Sequence, residues 1–84
     1  YNPDAVALWL SQKYTELFKD AISRTQIQLP ILSVMPSVTP VCFVSMYSGV
    51  MPEVHGIMRY EKPVLKIKTV FDALAAAGKR CAIV

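Results

Sequence analysis

Hydroxyl, thiol, carboxylate and imidazole groups all fall in one stretch that carries a single charge. From Pro36 to Gly56, "PSVTPVCFVSMYSGVMPEVHG" holds Ser37, Thr39, Ser45, Tyr47 and Ser48, with Cys42, Glu53 and the chain's one histidine, His55. Thr39-Pro40 is the sharpest feature. Threonine is a common N-cap and proline suits the first helical position, so a helix is expected to begin at Pro40. The first backbone N–H groups of such a helix lack intrahelical partners and, with the helix dipole, form an anion site beside the Thr39 hydroxyl. A hydroxyl there can attack a phosphorus or sulfur centre while the amides hold the anionic oxygens. The plainer reading of the same residues is that Thr39 only caps, with Ser45 and Ser48 bonded back to their own helix.

The elements that must position these residues are few. The chain has 84 residues, enough for one small domain at most, and 54% of them are hydrophobic against 18% charged. That balance excludes disorder and leaves more apolar surface than so short a chain can bury by itself. The sequence begins at Tyr1 and stops on the apolar run "CAIV", so a piece of a larger protein is expected. Net charge is +3, but the basic residues are scattered and do not alternate with aromatic ones, which argues against a nucleic-acid partner. No charge occurs from Thr25 to Pro52, yet Pro30, Pro36, Pro40 and Pro52 would break a membrane-spanning helix. Cys42 and Cys81 have no CxxC spacing and no Cys/His cluster around them, so they read as reduced packing residues and not as zinc ligands.

Along the chain, "NPDAVALWLSQKYTELFKDAIS" predicts one amphipathic helix capped by Asn2. Its packing stripe is Val6, Trp9, Leu10, Tyr14, Leu17, Phe18, Ala21 and Ile22. Ile27, Leu29 and Ile31 alternate with Gln26, Gln28 and Pro30 as a strand would. "TPVCFVSMYSG" predicts a short helix stopped by Gly49, and "VMPEVHGIMRYEKP" a loop. "VLKIK" is compatible with a short strand. "TVFDALAAAGKR" predicts a helix capped by Thr69 and ended by Gly78, and "CAIV" a buried parallel strand. This order predicts an α/β fold.

The ordered set P-x-x-T-P, Ser48-Gly49 and Pro52-Glu53-x-His55-Gly56-Ile57 resembles the alkaline phosphatase superfamily, most closely its nucleotide pyrophosphatase/phosphodiesterase branch. In those proteins a strand ends at a nucleophile that opens a helix, and a small-hydroxyl/Gly pair follows ten residues later. "SGVMPEVHGI" is similar to the usual "TGLYPESHGI" form, and "VFDALAAAGKRCAIV" to the family's following helix and strand. The resemblance runs from about Leu29 to Val84, with the nucleophile-bearing segment at about 29–58. It implies a fragment of a three-layer α/β/α domain and a parent enzyme that hydrolyses phosphate esters with two divalent metals, usually zinc. Thr39 would be the catalytic nucleophile and also a ligand to one metal; the other ligands would lie outside this chain, leaving the fragment without metals and inactive. The His of the P-E-x-H-G element is not among the family's metal ligands, so His55 reads as a hydrogen-bonding loop residue and Glu53 as a loop or capping carboxylate.

The sequence departs from the family at three places. A sulfatase would have Pro and Arg where Val41 and Phe43 stand, which disfavours that chemistry. Cys42 stands where the phosphodiesterase branch often has an asparagine that touches the phosphate, and it reads as helix packing. The alternatives are a phosphomutase, phosphonate hydrolase or sulfatase-like enzyme of the same superfamily, or a non-catalytic α/β assembly module in which Thr39 only caps. A phosphate-ester substrate is the expected partner of the parent enzyme. For the fragment a homo-oligomer is expected, because the predicted strands at Ile27–Val34 and Cys81–Val84 would present unpaired edges.

Overall fold

A computed structural model describes residues 2–83. It contains five helices: α1 (Leu8–Lys13), α2 (Thr15–Ser23), α3 (Thr39–Ser48), α4 (Pro52–His55) and α5 (Val70–Ala76). The chain divides into two units, one ending at Leu32 and one beginning at Ser33.

Among the described residues there is no strand, so the expected α/β class, and with it the three-layer α/β/α sandwich, is wrong for this chain. A strand exists only as part of a ladder. The backbone hydrogen bonds outside the helices join residues no more than five apart, so no two extended segments pair. The 27–34 segment, "VLKIK" and residues 81–83 are therefore coil, and Ile83 is exposed, not buried. Val84, the last residue of the expected strand, lies outside the described residues, as does Tyr1.

The unit ending at Leu32 is built on α1 and α2, which contact each other. The single long helix expected from Asn2 is not formed. Ala5 adopts φ 56°, a left-handed conformation costly for a residue with a Cβ, and the Asp4 carboxylate accepts the Ala5 N–H there at 2.9 Å. Helix therefore starts only at Leu8. Tyr14, at φ −116° and ψ 52°, then interrupts it, and its N–H closes α1 on the Leu10 carbonyl. With that break the expected packing stripe is not covered: Leu10 and Phe18 are half-buried, whereas Trp9 and Leu17 are exposed, Leu17 to 78%. The Lys19–Glu16 and Arg24–Asp20 pairs lie on the solvent side of α2, where such pairs add little.

The unit beginning at Ser33 packs α4 and α5 against α3. Its inner face is small: Val41 on α3, Pro52 and His55 on α4, and Ile57 just after it are buried, Val41 completely. Phe43 and Tyr47, one turn apart on α3, continue into Phe71 of α5, with Tyr47 and Phe71 edge-to-face at 5.0 Å between centroids. The α5 helix begins where its cap predicts. The Asp72 carboxylate accepts the Thr69 N–H at 2.6 Å and the Thr69 hydroxyl at 2.8 Å, as in a capping box.

Those bonds give α5 a dependence on acid. The Thr69 N–H, and after it the Thr69 hydroxyl, hold the Asp72 carboxyl below its ordinary value. A carboxylate depressed in the folded state stabilises fully above its unfolded value, and that contribution is lost as pH falls through the lower, folded one. Protection of the Val70–Ala76 amides from exchange, measured relative to the unfolded-chain rate at each pH, should therefore fall as pH drops through the folded-state Asp72 titration. Asp72→Asn should remove that pH step; a step that persists in Asp72→Asn would assign it to another group.

Candidate functional site

The candidate site is the start of α3. Val38 is extended, at φ −105° and ψ 149°, and its carbonyl accepts the Cys42 N–H at 3.1 Å. Val38 is thus the N-cap, Thr39 the first helical residue and Pro40 the second, one position earlier than the Thr-Pro pair predicts. The Val38 N–H is used by the Pro36 carbonyl at 2.9 Å, and Pro40 has no N–H. The amides ahead of the helical ladder are those of Thr39 and Val41. Thr39 is half-buried, and Cys42, three residues on, shares its side of the helix.

The Cys42 thiol lies 3.0 Å from the Ser33 hydroxyl. The incoming segment is thereby held against the first turn of α3, a role for Ser33 that nothing in the sequence marked. Cys42 is half-buried and Cys81 exposed, and neither is in a disulfide. Alkylation without reductant should modify both thiols of the folded chain; a mass two hydrogens short and resistant to alkylation would reveal a disulfide and contradict this arrangement.

The far end of α3 explains the remaining hydroxyls. Ser48 donates to the Val44 carbonyl at 2.6 Å and accepts the Val50 N–H at 3.4 Å, which closes the helix. Gly49 follows at φ 74°, a left-handed turn that other residues rarely adopt, and its N–H bonds to the Ser45 carbonyl. The chain turns back into α4, where a loop was expected: Pro52 opens one helical turn, and Gly56, at φ 77°, ends it. Glu53 sits in that turn, exposed.

This return brings His55 to α3. Its Nε2 is 3.0 Å from the Ser45 hydroxyl, and its Nδ1 accepts the Ile57 N–H at 3.1 Å. A serine beside a histidine at this distance is the geometry of a nucleophile and its base. The second bond decides against that role. A ring nitrogen that accepts a backbone N–H carries no proton, so in the neutral ring the proton is on Nε2 and is donated to Ser45. Ser45 is therefore the acceptor and is not activated. With both nitrogens engaged, His55 has none left for a metal, in keeping with its reading as a hydrogen-bonding residue, though on a helical turn and not in a loop.

Among the described residues no three His, Cys, Asp or Glu side chains come together, and none of the helices is long and apolar enough to cross a membrane. Comparison of the chain with family models, curated proteins and solved structures returns no match.

Proposed function

We propose that this chain carries the nucleophile-bearing turn of a phosphoric ester hydrolase of the phosphodiesterase/nucleotide pyrophosphatase kind, with Thr39 as nucleophile. The observation that supports it most is the joint placement of Thr39 and the glycine-punctuated return. Thr39 opens a ten-residue helix, and Ser48-Gly49 and Pro52-x-x-His55-Gly56 fold back on that helix through two left-handed glycines. The Thr39 hydroxyl stands at the amino-terminal end of that helix, the end whose dipole favours an anion.

The chemistry is a displacement at phosphorus. The bond from Thr39 Oγ to phosphorus forms, the bond to the leaving oxygen breaks, and the threonine proton is released. Water then attacks the phosphothreonine and frees Thr39 and phosphate or a phosphate monoester. Divalent metals are implied for such an enzyme, but the residues described here do not fit a metal pair by themselves: Thr39 has no cluster of ligating side chains around it. The ligands would come from outside this chain. The direct test is mass spectrometry of the hydrolase containing this segment after an acid quench during turnover. A phosphoryl group on the peptide containing Thr39 is expected; its absence there, with a phosphoryl group on another residue, would overturn the assignment.

A further inference from the structure

We infer that His55 is a positioning residue: a neutral imidazole, held in one tautomer, that fastens the turn after α3 to the middle of that helix and so sets where Thr39 stands. What Thr39 does there rests on the phosphoryl-transfer reading; where it stands does not.

The argument is geometric. A helix turns by about 100° per residue, so Val41, Ser45 and Ser48 form one stripe and Thr39, two residues before Val41, lies nearly opposite it. Val41 is fully buried, and among the described residues of this unit Pro52, His55 and Ile57 are the other buried ones. The inward stripe is thus gripped by apolar contact at Val41 and by a hydrogen bond at Ser45, one turn further on. Apolar contact is non-directional and lets a helix rotate or slide. The bond from His55 Nε2 to Ser45 Oγ has a direction and a length, 3.0 Å, and fixes rotation about the helix axis. The imidazole is oriented in turn by the Ile57 N–H on its other nitrogen. Rotation of α3 would carry Thr39 sideways by the same angle, so the element that stops rotation also fixes the direction in which the hydroxyl is presented.

Two polar groups at the edge of an otherwise apolar patch also require each other. Removing Ser45 leaves the His55 N–H without its acceptor at a buried site, and removing His55 leaves both Ser45 and the Ile57 N–H unpaired.

The test uses the 84-residue chain labelled with nitrogen-15. Long-range proton–nitrogen spectra should show His55 as a single neutral tautomer with the proton on Nε2, and the Ile57 amide protected from exchange. A proton on Nδ1, or averaging between tautomers, would overturn the inference with no variant needed. Ser45→Ala and His55→Leu should both shift the amide and methyl resonances of Thr39, while His55→Gln, which can still donate to Ser45, should return them towards the unaltered positions. Thr39 resonances that stay in place in Ser45→Ala and His55→Leu would show the bond to be local and the inference wrong. In the hydrolase that carries the segment, Ser45→Ala should lower kcat about tenfold with KM unchanged, and a change in thermal stability alone would refute positioning. If Thr39→Ala remained fully active while the spectra were as stated, the hydrolase reading would fail and the placement of Thr39 by His55 would stand.

Discussion

Under the proposed phosphoryl-transfer function, Thr39→Ala in an enzyme carrying this segment is expected to lower kcat by at least about 10³-fold, with Thr39→Ser retaining part of the activity. Val38 and not Thr39 occupies the N-cap position of α3, so the substitution takes no side chain from that position. The loss would therefore be chemical: no oxygen remains to form the bond to phosphorus. A loss of that size corresponds to roughly 4 kcal/mol or more of transition-state stabilisation, well above what trimming one half-buried helix side chain usually costs in folding, about 1 kcal/mol. Serine supplies the same oxygen without the methyl group that fixes its rotamer, so partial activity follows. By the same reading the 84-residue chain alone hydrolyses neither phosphate monoesters nor diesters, with or without added zinc. A Thr39→Ala hydrolase that kept its turnover would refute the nucleophile assignment and leave the module in which Thr39 serves only its helix.

The features legible in the sequence were those with a local cause. Pro40 and Gly49 bracket α3 because proline fixes a helical φ at the start and glycine enters the left-handed turn at the end without strain, and Thr69 with Asp72 begins α5 because both halves of the contact lie within one turn. The long amino-terminal helix was misread because periodicity reports a shared face and says nothing of continuity. A left-handed Ala5 and a break at Tyr14 leave the period intact while splitting the helix. The strands were misread for a different reason: alternation at Ile27, Leu29 and Ile31 marks a segment fit for a sheet, but a sheet needs a second segment in register, and among the described residues none pairs with it. At the start of α3, the helix beginning at Thr39-Pro40 and ending before Gly49 was legible from those residues to within one position. The bond between Ser45 and His55 was not, because ten residues of separation become 3.0 Å only after the left-handed Gly49 and a one-turn helix have reversed the chain. The Ser33 contact with Cys42 likewise depends on the path of the 33–38 segment, which no periodicity describes.

The isolated chain is expected to sediment as a dimer or larger species at low micromolar concentration, without a cooperatively melting monomer. The strand edges expected to drive association are not formed, but the apolar surface is there. In the uncharged segment from Ile27 to Met35, Leu32 is 97% exposed, and Ile27, Leu29, Ile31 and Met35 are each about three-quarters exposed. A second copy offers the same segment, and with no charge between Thr25 and Pro52 nothing in it repels its own copy. Covering about 200 Å² of apolar surface on each chain is favourable by roughly 5 kcal/mol per chain at about 25 cal/mol per Å², before ordering costs. That is comparable with the whole stability of a small domain, about 5–15 kcal/mol, so association and folding should be one transition whose midpoint rises with concentration. Replacing Leu29 and Leu32 together by lysine should dissociate the assembly, since like charges would then face each other across it. A compact monomer with a sharp, concentration-independent melt in the unaltered chain would show that it buries enough surface by itself and that this apolar segment recruits no second copy.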